Sequence, residues 1–277
     1  MKAASREAQA RVSEKLDAVV GSAADPVATA AQIGAELFLV VDQLDGERAL
    51  RVAVADPSLD ASQRAGIIDE VFAGKVAEPT QQILHAAADN EWSTPREMRA
   101  GLVNAGRQAV LKAAQKQGQL EQVERELYEL SVLLEREKEL TQLLSDRTST
   151  AAQKRGLLAN VIYGKVTMVT EALALQVIGR PEQNPIDDLA ALAAEIATLR
   201  GKTVARVATA EELTASQQEA LAAKLENMYG REMAIHSEVD PSLLGGMIIR
   251  VGDEEIDGST LGKLNRLRAD LVANTTF

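Results

Sequence analysis

The sequence predicts a mainly α-helical protein with a small α/β C-terminal domain, its N-terminal helical bundles duplicated. Three observations carry that prediction: an Ala/Leu-rich, aromatic-poor composition, an internal repeat, and a change of hydrophobic period near Gly201. Of 277 residues, 46% are apolar and only 3% aromatic. That is ample for packed cores and has the balance of helical bundles, not of aromatic-lined pockets. The length suits two or three folded units.

The repeat is read first. Residues 56–76 align with residues 146–166 at an offset of 90 without a gap, and eight of 21 positions are identical, including Gln63/Gln153, Gly66/Gly156, Val71/Val161 and Gly74/Gly164. Chance would give about one or two identities in such a window. Asp60 with Gln63, and Thr150 with Gln153, have capping-box spacing, in which a side-chain oxygen and an amide satisfy the orphan N–H groups of a helix start. The apolar positions 67, 68, 71 and 72, with 157, 158, 161 and 162, form one buried stripe per copy. Gly74 and Gly164 stand where a left-handed residue would end that helix, and Pro95 and Pro185 mark equivalent later helix starts. Leu120, Val123, Leu127, Leu130 and Leu134 trace a further stripe, too short for a coiled coil and suited to an intramolecular bundle. The expected organisation is an extra helical unit at 1–104, a second bundle at 105–200 and the α/β domain at 201–277.

From Gly201 the period shortens. Residues 202–208 and 232–239 alternate and carry β-branched side chains, and 246–251 reads as a third strand. Thr214 and Gln217 cap a helix between the first two strands. Gly252-Asp253 is a tight turn into residues 254–256. Ser259 caps a last helix, whose Leu261, Leu264, Leu267 and Leu271 are expected to face inward, with Lys263, Arg266 and Arg268 outside the stripe.

Charge and chemistry narrow the function classes. A net charge of −11 repels phosphate backbones and anionic lipid, arguing against a nucleic-acid or membrane-surface binder. With no cysteine there is no disulfide, thiolate chemistry or cysteine-ligated zinc. His85 and His236 have no helical i+4 histidine partner, and the acidic residues Asp253, Glu254, Glu255 and Asp257 lack calcium-loop spacing. Gly245-Gly246 and Gly252 make no dinucleotide or phosphate-loop fingerprint. No catalytic residue, metal ligand or cofactor is expected. Residues 1–7 run into charged helix without a signal-type apolar stretch, and runs such as 37–41 and 243–249 fall short of the roughly 18 residues of a membrane span, so a cytosolic chain without direct membrane insertion is expected.

The tail also carries a resemblance. The stretch from Met233 to Gly252, with Val239, Asp240, Leu243, Gly245, Gly246 and Ile249, resembles the signature of the F-type ATP synthase delta subunit, called OSCP in mitochondria. Gly252, Asp253, Asp257, Gly258 and Ser259 look like the family's continuation. Residues from about 105 onward have the length and order of an ordinary delta subunit, and the extra front copy resembles the actinobacterial type. The resemblance implies a non-catalytic peripheral-stalk (stator) subunit. Its helical domain would bind the N-terminal helices of alpha subunits and its tail domain the C-terminal helices of the b-type stalk. It would lie at the cytoplasmic face of the cell membrane through the complex, so that rotary torque drives ATP synthesis. The eleven signature positions are expected to serve the tail's fold and partner docking. A generic helical adaptor or chaperone-like module is the alternative.

Overall fold

The computed structural model describes the backbone of residues 1–274 and the side chains of residues 1–268. It forms two compact units, one of residues 1–120 with 158–176, the other of residues 121–157 with Val177 onward. The chain is helical to residue 199: α1 (Ala3–Ser22), α2 (Pro26–Gly46), α3 (Arg48–Ala53), α4 (Ala61–Phe72), α5 (Glu78–Asp89), α6 (Pro95–Lys116), α7 (Leu120–Arg136), α8 (Lys138–Ser145), α9 (Ala151–Ile162), α10 (Met168–Gly179) and α11 (Pro185–Leu199).

The duplication is written into this order. Helices α3, α4, α5 and α6 start 90 residues before α8, α9, α10 and α11 respectively. Burial repeats too: Arg64, Ile68, Phe72, Thr80 and Ile83 are buried, and so are Lys154, Leu158, Ile162, Thr170 and Leu173. Asp60 and Thr150 both cap through the amide of a glutamine three residues on. Gly74 and Gly164 take left-handed φ values of 74° and 68° two residues past the end of each helix, where a Cβ would be strained. Helix α6 belongs to both copies. It corresponds to α11 ninety residues later and to α1 ninety residues earlier, where Arg6-Glu7 recurs as Arg96-Glu97 and Val20 as Val110. The boundary expected after residue 104 falls inside this helix.

In the first unit, α2 is the core helix, burying Ala30, Ile33, Leu37, Val40, Val41 and Leu44. It packs on α6 at glycines: a Cβ on Gly34 would lie 2.3 Å from Val110 Cγ2 and 3.0 Å from the Gly106 carbonyl oxygen. By length and composition α2 is long and apolar enough to cross a membrane, which corrects the expectation that no segment approaches that size. Its glycines and alanines extend the apolar count beyond the aliphatic run at 37–41, and here the helix buries one face among its neighbours. The Arg64 guanidinium is buried and donates to the carbonyl of Ala88 (2.8 Å) and to that of Leu59, tying the end of α5 to the loop before α4.

The second unit joins α7, α8 and α11 to a mixed sheet. Leu120 belongs to the first unit by its contacts, while Val123, Leu127, Leu130 and Leu134 are buried here, as an intramolecular stripe requires. The sheet elements are β1 (Thr203–Thr209), α12 (Ala215–Tyr229), β2 (Met233–Val239), a 3-10 turn (Pro241–Leu243), β3 (Met247–Val251), β4 (Glu254–Asp257) and α13 (Thr260–Asn274). Strand order is β2-β1-β3-β4, with β1 and β2 parallel through the α12 crossover and the other pairs antiparallel. Ala205, Val207, Leu225, Met233, Ile249 and Val251 fill the core between the sheet and α12.

Helix α13 departs from expectation. Leu264 and Leu267 are 55% and 61% exposed, not turned inward, because the sheet core is already filled from α12. The side chain of Leu271 lies outside the described residues.

Candidate functional site

Eight of the eleven signature residues, Val239, Asp240, Leu243, Gly245, Gly246, Asp257, Gly258 and Ser259, lie where the sheet hands over to α13, whereas Ile249 lies within β3 and Gly252 and Asp253 stand at the hairpin tip at its other end. Val239 ends β2 opposite Thr209, and the Asp240 N–H donates to the Thr209 carbonyl at 2.7 Å. The Asp240 carboxylate then accepts from the Ser242 N–H at 2.9 Å, and the Ser242 side-chain hydrogen bond together with this backbone one holds its pKa below the usual carboxylate range. Leu243 turns into the core, 4% exposed. Leu244, next in sequence, turns outward with a φ of 59°, the one non-glycine residue with positive φ among the described residues. For a leucine this conformation costs on the order of 1–2 kcal/mol.

Gly245 and Gly246 complete the reversal at φ 136° and 76°. A Cβ on Gly246 would stand 2.5 Å from the Gly258 carbonyl oxygen, so the chain here passes against the end of β4. The Gly245 carbonyl accepts from the Thr260 N–H (2.8 Å) and the Met247 carbonyl from the Gly258 N–H (2.9 Å). Asp257 accepts from the Ser259 hydroxyl (2.6 Å) and N–H (2.9 Å), which lowers its pKa, and Ser259 in turn caps α13 by accepting from the Gly262 N–H (2.9 Å). Ile249 belongs to the sheet core. Gly252, at φ 60°, and Asp253 form the two-residue turn between β3 and β4.

Three of the four acidic hairpin side chains have structural partners. Glu255 pairs with Arg250 (2.7 Å), Glu254 accepts from the Tyr229 hydroxyl (2.9 Å), and Asp257 also faces Arg266 at 3.6 Å. The arrangement is a folded clasp: it sets the start of α13 and displays Leu244 beside it.

Sequence reasoning missed a second feature of this unit. Glu124, on the buried stripe of α7, accepts from His236 Nε2 of β2 at 2.9 Å and from Arg200 at the end of α11. Arg200 also reaches Glu121 at 2.7 Å, and the His236 ring stacks on Tyr128 at 4.3 Å between centroids. Burial acts to raise the Glu124 pKa, but hydrogen bonds from His236 and Arg200 and the Arg200 charge outweigh it and hold the carboxyl below its ordinary value. Burial pushes the Tyr128 hydroxyl upward. The available signal was a charged residue interrupting an apolar stripe where the first copy has Gly34. His85 meets Asp69 at 2.7 Å in the first unit, a partly exposed pair.

Known proteins resemble this chain along its length. The family model described as ATP synthase delta (OSCP) subunit matches residues 107–271. The "ATP synthase subunit delta" of Corynebacterium glutamicum is 65% identical over 272 residues, covering 98% of this chain and 100% of that protein. The proteins of the same name from Corynebacterium efficiens and Corynebacterium diphtheriae are 64% identical (97% of this chain, 98% of that protein) and 61% identical (98% and 100%). A chain of the Toxoplasma gondii mitochondrial ATP synthase hexamer aligns over 60% of this chain and 94% of its own length at 22% identity, with a TM-score of 0.33, too loose a likeness to argue from. The chain belongs to the ATP synthase delta (OSCP) subunit family.

Proposed function

We propose that this chain is a non-catalytic stator component of a proton-translocating F-type ATP synthase, holding the catalytic head to the peripheral stalk so that torque drives ATP synthesis. The observation that carries the reading is full-length identity of 65% to a protein named as the delta subunit of that enzyme. The helical region would receive N-terminal helices of alpha subunits, and the tail domain the C-terminal helices of the b-type stalk. Grooves between Ala- and Leu-rich helices suit amphipathic helical partners, and rim charges select among them. The protein would act at the cytoplasmic face of the cell membrane, peripheral and held there by the complex. Its Asp, Glu and His side chains would serve structure, as the Asp257–Ser259 and Glu124–His236 contacts do, and not turnover.

Deleting the gene and assaying membrane vesicles tests this. The expected result is loss of proton-driven ATP synthesis, while detached head retains ATP hydrolysis. Normal assembly and undiminished coupled synthesis would overturn the reading.

A further inference from the structure

A strand at the border of a sheet keeps one row of backbone N–H and C=O groups without a neighbouring strand. β2 is such a strand, since the sheet order begins with it. Its parallel register on β1 is anchored at both ends, by the Thr203 N–H on the Glu232 carbonyl (2.8 Å) and the Asp240 N–H on the Thr209 carbonyl (2.7 Å). In that register the backbones of Ala234, His236 and Glu238 bond to β1, and those of Met233, Ile235, Ser237 and Val239 point to the open side. None of these outward groups finds a protein partner among the described residues.

The open edge is the floor of a groove. One wall is α7, whose Glu121, Arg125, Glu129, Leu133 and Arg136 recur every three or four residues and so share a face. The other is the start of α12, at Ala215, Gln218, Glu219 and Ala222. Two cavities lie along it, of about 300 Å³ beside Met233 to His236 and about 350 Å³ beside Ser237 to Val239, and Gln218 lines both. The α7 face spans about 22 Å and the seven residues of β2 about 20 Å, so wall and floor match in length. A trough with a helix on each side admits one extended chain. The helix-flanked edge of a second copy would collide with those walls.

Charge narrows the occupant. Arg125 is paired with Glu129 (3.7 Å), and Arg200 with Glu121 (2.7 Å) and Glu124. Lys202 and Glu219 balance each other in the first cavity. The second sets Glu212 and Glu238, which form no ion pair among the described residues, against Arg136 alone. Burial and the Glu135 charge raise the Glu238 pKa despite Arg250 and Arg206, so this end of the groove is short of positive charge. Leu133 and Leu213 add an apolar patch beside it.

We propose that the open edge of β2 binds an extended segment of a partner chain as a fifth strand, with a lysine or arginine of that segment held by Glu212 and Glu238 and its apolar side chains against Leu133 and Leu213. The inference does not depend on the stator reading.

The test titrates the full chain with a capped octapeptide of alternating valine and serine that carries a lysine at each end, which serves either strand direction. Binding is expected, and amide exchange followed by NMR should slow at Ile235, Ser237 and Val239, between neighbours that β1 already protects. Ser237→Pro deletes one outward N–H without touching a bond to β1 and should weaken binding by about tenfold. Ser237→Ala, which loses only the Gln218 contact (3.2 Å), should bind as wild type does. Peptides N-methylated at every second residue test the same bonds without altering the protein: one register should abolish binding and the other spare it. Glutamate in place of the peptide's lysines should weaken binding by about tenfold at low salt. No binding at about 1 mM peptide, protection without that alternation, equal effects of the two N-methylated registers, or a glutamate peptide that binds as tightly would each overturn the proposal and leave the stator reading untouched.

Discussion

Glu124 and His236 lie 112 residues apart in sequence and meet through a 2.9 Å hydrogen bond, both nearly sealed from solvent. Ninety residues before Glu124 and Arg200 stand Gly34 and Val110, which touch in the first copy. One position in the repeat thus has two solutions: close approach of helices through glycine, and an ion pair that also engages the sheet.

Replacing Glu124 by Gln should destabilise the second unit by about 3 kcal/mol near pH 7, because the Arg200 and His236 contacts lose their charged partner. The sign of the pH effect follows from the lowered pKa. The ionised carboxyl stabilises above its unfolded value and loses that contribution as pH falls through the folded one. The wild-type protein should therefore weaken from about pH 4.5 downward more steeply than Glu124→Gln. Hydrogen exchange of β2 amides between pH 7 and pH 3, corrected for intrinsic rates, reads both effects; parallel curves would contradict the assignment.

The glycine solution has its own test. Gly34→Ala should cost the first unit about 1–3 kcal/mol through its contact with Val110. Adding Val110→Ala should return part of that loss, since the clashing methyl is removed. Trp92, buried in the same unit with its indole N–H donating to the Ala87 carbonyl, provides the fluorescence signal for denaturant titrations. Additive losses would show that the two side chains do not meet.

Two glycines of the tail should differ sharply. Gly246→Ala combines a left-handed φ with a carbonyl 2.5 Å from the new Cβ and should cost at least about 3 kcal/mol. Gly252→Asn has open space around it and needs only the left-handed conformation that asparagine accepts, at about 1 kcal/mol or less. Thermal melts of both variants by circular dichroism decide; equal shifts would refute the account of the clasp.

At position 64 the repeat suggests its own conservative variant. Arg64→Leu leaves the buried Ala88 carbonyl and the half-buried Leu59 carbonyl without that donor and should cost about 2–4 kcal/mol. Arg64→Lys copies the residue at the equivalent buried position, Lys154, and should cost less than half as much. Urea unfolding followed at Trp92 would rank them.

The repeat, the capping residues and the strands of the tail could be read from the chain because each is local: spacing, a side chain and its own helix start, or a change from period 3.6 to period 2. Asp60–Gln63 and Thr214–Gln217 formed the bonds their spacing predicts. Pairing across the fold was not legible. Nothing near His236 in sequence announces Glu124, and periodicity shows that α13 has a stripe without saying which side is already covered. Leu264 and Leu267 were misjudged for that reason: α12 fills the space that they were expected to occupy. Leu244 left a fainter trace, since of two successive leucines before a glycine pair only one can enter the core.

Shortening this protein is a question of phase. Since α6 closes one copy and opens the next, a cut after residue 104 would halve a helix, whereas a cut one full period in, before Thr94, would spare α6 to α11 as a complete set. Even that tidy excision would strip α2 from the Gly106 side of α6 and leave a bare seam to be resurfaced. Such an array can lose a member only by re-dressing the survivor.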